Sequence, residues 1–256
     1  METDYHHPKK EMTDISSAAA RNRIALSVNE TLARGMTNRF FEEMRERFLT
    51  KVLGRRPPAV LKRAAAYRAK CRWFEQSTPT DLIIATQLCG PQDGKTKDAY
   101  GIYLTWDMGL TQNRLLAVAS IIDARKIEVQ DCPVAIVTEH AVHRLFQRLN
   151  TLDYRAVLSE LNPAIEIFFP LATEMLRMSC STFMAPTPHG VLVFRLALPD
   201  EEAAPVVAVT WVSDQRMIES GAAKLSNVRR ARAEEGLVLP HGRGYRVITV
   251  ADETEE

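Results

Sequence analysis

The feature that most constrains this chain is a change of hydrophobic pattern near Asp81. From Ser16 to Leu53 the sequence is rich in helix-forming residues and contains no proline. After Asp81 it consists largely of short apolar runs separated by turn residues, which is typical of β-strands. We therefore predict an α+β fold: a helical, basic N-terminal region over residues 1–80, then an α+β domain over 81–256 with a mainly antiparallel sheet flanked by helices.

The first predicted helix, over Ser16–Leu53 with Asp14 as its cap, carries an apolar residue at every fourth position from Val28 to Val52. A spacing of four drifts around a helix that has 3.6 residues per turn. The pattern thus predicts a helix that is either packed on several sides or broken near Gly35. A second helix is expected over Ala59–Phe74, because prolines at positions 57 and 58 are tolerated in a first turn.

The remaining elements are predicted from alternation, caps and turn residues. Strands are expected at Tyr100–Trp106, Leu115–Ile122, Val134–Val137 and Tyr245–Val250, with Leu82–Leu88 as a strand or a short helix. Gly190–Leu198 and Pro205–Ser213 are expected to pair as an antiparallel hairpin. Helices are expected at Glu139–Leu149, at Tyr154–Met178 with interruptions at Pro163 and Pro170, and at Met217–Glu235 before a glycine-rich loop at Gly236–Gly244.

The composition indicates an environment without membrane or disulfides. The longest apolar runs, such as Leu115–Ile122, are far shorter than the roughly 20 residues that cross a bilayer. The charged N-terminus does not resemble a secretory signal. Four widely spaced cysteines show no metal-binding or disulfide pattern, so we interpret them as buried thiols and predict a cytoplasmic protein.

Charge is strongly segregated along the chain although the formal net charge is only +1. Between Lys51 and Arg72 there are eight basic residues and no acidic one, whereas the rest of the chain holds 25 basic and 32 acidic residues. Such segregation favours an anionic partner, either nucleic acid, with RNA preferred, or an acidic protein surface. The aromatic residues Tyr67, Trp73 and Phe74 would stack on bases if they were exposed. The candidate nucleic-acid-binding residues are Arg55, Arg56, Lys62, Arg63, Arg68, Lys70, Arg72, Arg229 and Arg230.

The helix that follows Thr138 carries the most informative polar pattern. His140, Arg144 and Arg148 are spaced four apart and therefore share one face, opposite the apolar Val142 and Phe146. Histidine exchanges protons near neutral pH, and arginine binds phosphate through two parallel hydrogen bonds, so the combination suits phosphodiester chemistry. The alternative is an ordinary solvated basic helix face.

This pattern resembles small bacterial RNase toxins of the RelE, colicin and EndoU-like type, over about residues 134–212. The resemblance implies metal-independent RNA cleavage, with His140 as proton shuttle, Arg144 and Arg148 as phosphate clamps, and Thr210 on a strand as a supporting hydrogen-bond group. His189, in a Gly/Pro loop, is a further catalytic candidate that would supply a second imidazole, and His241 is its alternative.

Other chemistry is disfavoured by the sequence. Glu139, His140 and His143 offer neighbouring metal ligands, but no third and fourth ligand follow at a recognisable spacing, so no metal is predicted. Nucleotide-binding glycine loops and a nucleophile elbow are missing from the sequence, so no cofactor is predicted.

Two functional hypotheses remain: an RNA-cleaving or RNA-binding toxin-like protein, and a non-catalytic interaction protein of a bacterial assembly that uses its basic helices to hold nucleic acid or an acidic partner. The environment of His140 discriminates between them. A concave pocket with an arginine and a second histidine favours catalysis, whereas open solvent or an apolar core favours interaction. The sequence does not define the oligomeric state.

Overall fold

A computed structural model describes residues 30–50, 63–89, 99–108, 113–123, 129–178, 180–197, 204–220 and 222–250. Two N-terminal helices, α1 (30–50) and α2 (Arg63–Ser77), are followed by a short 3-10 turn at Thr80–Leu82. Four strands come next: β1 (Ile83–Cys89), β2 (Tyr100–Met108), β3 (Arg114–Asp123) and β4 (Val129–Thr138). The second half contains α3 (Glu139–Leu149), α4 (Tyr154–Arg177), β5 (Thr182–Thr187), β6 (Gly190–Leu196), β7 (Val206–Ser213), α5 (Asp214–Ser220), α6 (Ala222–Ala233), β8 (Leu237–His241) and β9 (Gly244–Ile248).

Within the described residues, the nine strands belong to one sheet in the order β1-β2-β3-β4-β7-β6-β5-β8-β9. Every neighbouring pair is antiparallel except β4 and β7, which run parallel where Ile136 lies opposite Val207. The predicted α+β class and the mainly antiparallel sheet are thus confirmed. Pro133, in the middle of β4, lies at a bulge opposite Val118, which is a position where the missing amide hydrogen is tolerated.

The long helix α4 is the centre of the main core. Phe168 of α4 stacks with Phe183 of β5 and Phe194 of β6 at centroid distances of 5.2 and 5.6 Å, and the latter two rings stack on each other at 5.0 Å. One cavity of about 440 Å³ is lined jointly by β1, by α4 and by Val250, which follows β9. Because both edges of the sheet approach the same helix, the sheet curves around α4.

The prediction that Pro163 and Pro170 interrupt this helix was wrong. Both prolines lie inside one helix of 24 residues. A proline in a helix interior removes one hydrogen bond and costs about 3 kcal/mol. Burial of the apolar face of α4, including Leu161, Ile165 and Leu171, offsets that cost.

Of the two alternatives that the four-residue spacing left open, the break near Gly35 was wrong, because α1 runs through that residue without interruption. Its buried face is not the four-spaced stripe, since Leu32 is 50% exposed. The buried residues instead follow the true helical period: Ala33, Thr37, Phe40, Phe41 and Met44. The ring of Phe40 packs edge-on against Phe146 of α3 and Tyr154 of α4, which attaches α1 to the main core.

Several strand boundaries differ from the sequence prediction. The region Gly236–Gly244 is not a loop, because Leu237 and Leu239 are fully buried in β8. The strand β5 was not predicted, and β4 begins five residues earlier than expected. The predicted helix Met217–Glu235 consists of two helices, α5 and α6. The predicted cap Asp14 and the acidic tail Asp252–Glu256 lie outside the described residues.

Within the described part of the chain, no helix is long and apolar enough to span a membrane. Three of the four cysteines, Cys71, Cys132 and Cys180, are free and half-buried rather than fully buried. Burial raises the pKa of the Cys71 thiol, which lowers its reactivity.

Candidate functional site

The predicted helix α3 forms as expected, because the hydroxyl of Thr138 accepts a hydrogen bond from the amide of Ala141 (3.2 Å) and caps the helix. The same hydroxyl donates to the carbonyl of Ala208 on β7 (3.0 Å). Beyond this point β4 no longer pairs with β7, and α3 lies beside β7 instead. The helix α3 is therefore held beside β7, and its residue Arg148 reaches the C-terminal half of that strand at Trp211.

His140 and Arg144 are neighbours on the exposed surface of α3. The Nε of Arg144 donates to the Nε2 of His140 at 3.4 Å, and its Nη1 donates to Gln147 at 2.6 Å. Partial burial of the ring, together with the charges of Arg144 and Arg148, lowers the pKa of His140 from its ordinary value of 6.5. This shift favours the neutral form of the imidazole, which faces solvent.

Arg148 is half-buried and donates a short hydrogen bond to the backbone carbonyl of Trp211 on β7. Burial lowers the pKa of its guanidinium group, and the charges of Arg216 and Arg144 lower it further. Arg216 is an exposed residue of α5 that the sequence prediction missed. We refer to Arg144, Arg148 and Arg216 as the cationic cluster.

The acidic residue closest in sequence to Arg216 is already paired. Asp214 accepts two hydrogen bonds of 3.0 Å from the guanidinium of Arg232, which also donates to the carbonyl of Gly190 (3.1 Å). This bidentate pair ties α6 to the beginning of α5 and to the β5–β6 hairpin. Asp214 is therefore committed to Arg232 and not to the cationic cluster.

The predicted candidate His189 lies at the tip of the β5–β6 hairpin and has a buried carboxylate partner. Its Nδ1 is 2.6 Å from Oε1 of Glu160, a residue of α4 whose side chain is only 1% exposed. The other carboxylate oxygen accepts from the hydroxyl of Thr187 (2.5 Å) and from the amide of His189 (3.2 Å). When Glu160 is ionised its oxygens only accept hydrogen bonds, so the bond to Nδ1 requires the tautomer of His189 that carries the proton on that nitrogen.

The hydrogen bonds continue from Glu160 to the cationic cluster. Thr187 accepts from the indole Nε1 of Trp211 at 3.0 Å, and the backbone carbonyl of Trp211 accepts from Arg148. The carbonyl of His189 accepts from the amide of Asp214 (3.0 Å), two residues before Arg216. His189 and the cluster are consequently held at the same end of β7.

Two other candidates are placed elsewhere. Thr210 lies opposite Val193, whose side chain packs with α5 and α6, so Thr210 is on the sheet face turned away from α3. It does not join His140. The strand β8 runs antiparallel to β5, which puts His241 at the opposite end of the sheet from His189.

The first basic segment is only partly described, since Arg55, Arg56 and Lys62 lie outside the described residues. On α2, Arg68 and Arg72 are exposed, but Lys70 is only 7% exposed and cannot contact nucleic acid in this structure. On α6, Arg229 is exposed and Arg230 pairs with Glu234. The side chain of Arg63 also lies outside the described part of the chain.

Of the three aromatic residues that would stack on bases if they were exposed, two do not meet that condition, and Trp73 is half-buried. Tyr67 and Phe74 are buried against Tyr103 and Ile122 under α2, where they cannot stack on bases. Packing of α2 on the sheet requires an apolar face, and these rings provide it.

Among the described residues, no group of three or more His, Cys, Asp or Glu side chains is placed to hold a metal ion.

The most important residue that the sequence prediction missed is Glu160. The sequence does indicate this residue, because Glu160 lies on the apolar face of α4 between Val157 and Ala164, where a buried carboxylate needs a hydrogen-bond partner.

No family model, curated protein or solved structure matches this chain in comparisons.

Proposed function

We propose that this protein binds single-stranded RNA through the cationic cluster. The observation that carries the proposal is the gathering of Arg144, Arg148 and Arg216 at one end of β7. Arg148 donates to the carbonyl of Trp211, the amide of Arg216 donates to the hydroxyl of Ser213, and the charges of Arg144 and Arg216 both lower the pKa of Arg148. Positive charges held close together repel one another and destabilise the folded state. A bound anion reduces that repulsion. Guanidinium groups are the side chains best suited to phosphate, because they donate two parallel hydrogen bonds.

The exposure of His140 supports binding rather than catalysis by this residue. Its described hydrogen bond is to Arg144, and it faces solvent. A neutral imidazole beside the cluster can still donate or accept a hydrogen bond with a phosphate or a ribose hydroxyl. His140 is accordingly proposed as a contact residue at the edge of the RNA site.

The test is fluorescence anisotropy with a labelled 2′-O-methyl RNA, which binds without being cut, measured over a salt series. We choose Arg216→Ala as the main variant because the side chain is exposed. The affinity of this variant for the RNA should fall several-fold. The negative slope of log K against log salt should become less steep by about 0.7, the value for one lost phosphate contact on a single strand.

Arg177→Ala is the matched control. It also removes one arginine, but from the C-terminal end of α4, where the side chain is 76% exposed. Glu160 is the residue of α4 that hydrogen bonds connect, through Thr187 and Trp211, to the cationic cluster. Arg177 lies 17 residues beyond Glu160, which is about 25 Å along the helix at 1.5 Å per residue. Equal affinities for the two variants would contradict the proposal. Displacement of the RNA by polyglutamate at the same charge concentration would instead indicate an acidic protein as the partner.

A further inference from the structure

The pair of Glu160 and His189 has the geometry of an acid–base site. The carboxylate is buried and fixed by the hydroxyl of Thr187 and by the backbone amide of His189, so it cannot rotate away from the ring. The bond to Nδ1 sets both the orientation and the tautomer of the imidazole. The His189 side chain is 74% exposed, and its free Nε2 is therefore available to a bound molecule.

This arrangement is costly for a purely structural role. Placing a carboxylate in the core requires compensation by hydrogen bonds, and here one of its partners is a ring that lies mostly in solvent. A core that needed only packing at position 160 would be served by an apolar residue. The buried charge instead holds an exposed imidazole in one orientation at the tip of a hairpin.

The pair also lies next to the proposed phosphate site. Gly190, which follows His189, is opposite Ser213 at the end of β7. The amide of Arg216 donates to the hydroxyl of Ser213 (3.4 Å), and Arg148 is bonded to Trp211 two residues earlier. An RNA phosphate held by the cluster would thus be close to the hairpin tip that carries Nε2 of His189.

We propose that His189 is a catalytic residue that cleaves the bound RNA backbone, with Glu160 as its positioning residue; this inference rests on the proposed RNA binding. Neutral Nε2 removes the proton of a ribose 2′-hydroxyl, whose oxygen bonds to the adjacent phosphorus while the bond from phosphorus to the 5′-oxygen breaks. The departing 5′-oxygen takes a proton from water, and the imidazolium returns its proton to solvent. The products are a 2′,3′-cyclic phosphate and a free 5′-hydroxyl, and the arginines stabilise the charge that develops on the phosphate.

The test measures cleavage and binding separately, in EDTA. Cleavage is followed on labelled single-stranded RNA by the appearance of 2′,3′-cyclic phosphate ends, and binding on the 2′-O-methyl RNA of the same sequence. We expect His189→Gln to reduce the cleavage rate at least about 100-fold, the usual lower contribution of a general base, with binding within two-fold of wild type. His241→Gln is the matched imidazole control and should cleave at the wild-type rate.

Glu160→Gln tests the positioning role. In the glutamine variant the amide oxygen should stay with the two donors, the Thr187 hydroxyl and the His189 backbone amide, so that the NH₂ group faces Nδ1. Because that group donates and cannot accept, the ring should change tautomer, which ¹⁵N chemical shifts of His189 report directly. We expect that change together with a lower cleavage rate and a displaced pH profile. A slower reaction without either change would mean that Glu160 acts only through stability, which a thermal melt of the variant measures, and would overturn its assigned role.

The outcomes separate the two proposals. If wild-type protein binds the 2′-O-methyl RNA but does not cut RNA, or if His189→Gln cuts as fast as wild type, the acid–base assignment is overturned while RNA binding stands. If wild-type protein neither binds nor cuts, the proposed function fails and this inference fails with it.

Discussion

The buried carboxylate of Glu160 lies 2.6 Å from Nδ1 of His189, which is 29 residues later in the chain. One residue belongs to the central helix α4, and the other to the turn between β5 and β6. The bond thus joins the middle of the core to a side chain at the surface. Loss of the Glu160 carboxylate should therefore lower the stability of the fold and, separately, slow the proposed cleavage of RNA. These two effects can be measured independently.

Glu160→Ala should destabilise the protein. Without the carboxylate, the hydroxyl of Thr187 and the amide of His189 lose their acceptor, and a buried donor without a partner costs about 1–3 kcal/mol. Urea denaturation should therefore show a free energy of unfolding lower by at least that amount. The exposed Glu166→Ala on the same helix is the control and should change stability by less than about 0.5 kcal/mol. Similar losses in both variants would contradict the contribution of the Glu160 hydrogen bonds.

Gly190→Ala should disturb the end of the sheet. A β-carbon at this position would lie 2.3 Å from the carbonyl oxygen of Val212 and 2.7 Å from the ring of Trp211, both of which are held in place. Overpacking of this kind costs about 1–3 kcal/mol. Gly35→Ala is the opposite case, because a β-carbon there meets nothing within 4 Å and the residue is inside α1. It should stabilise the protein by about 0.5–1 kcal/mol, and differential scanning calorimetry of the pair checks both signs.

Thr138→Ala should loosen α3 from β7. The substitution removes the cap of the Ala141 amide and the bond to the Ala208 carbonyl, and loss of an N-cap typically costs about 1 kcal/mol. Thr138→Ser keeps the hydroxyl and should retain most of the stability. Because Arg144 and Arg148 are carried by this helix, hydrogen exchange of its amides should accelerate in the alanine variant only. Equal exchange in the two variants would show that packing alone holds the helix.

Arg144→Gln should raise the pKa of His140 toward 6.5. In the wild-type protein partial burial lowers that pKa first, and the positive charges of Arg144 and Arg148 lower it further, because a cation beside the ring disfavours a second positive charge. Removing one charge leaves the burial contribution, so the pKa should rise without fully recovering. Arg144→Lys keeps the charge and should leave the pKa low. An NMR titration of the His140 ring measures all three proteins, and identical curves would exclude the proposed proximity.

The sequence indicated the local parts of the candidate site well. A cap at Thr138 and polar residues at positions 140, 144 and 148 define one helix face, and these depend only on neighbours within a few turns. It misjudged α4, because two prolines argue locally against a helix whose stability comes from the sheet wrapped around it. The sequence also misjudged β8, because the glycines on both sides of this strand favour a loop. The strand forms because Leu237 and Leu239 are buried, which the local sequence does not show.

Sequence by itself determined the α+β class, the helix α3 and its basic face, because periodicity and capping act between residues that are close along the chain. Only the tertiary structure decided that Arg216 would approach Arg148 and that Glu160 would meet His189. The two pairs are separated by 68 and 29 residues in the sequence, and their proximity depends on the order of strands in the sheet and on which side of β7 each element packs. No local pattern encodes that order, since it is set by which apolar faces can be buried together around α4.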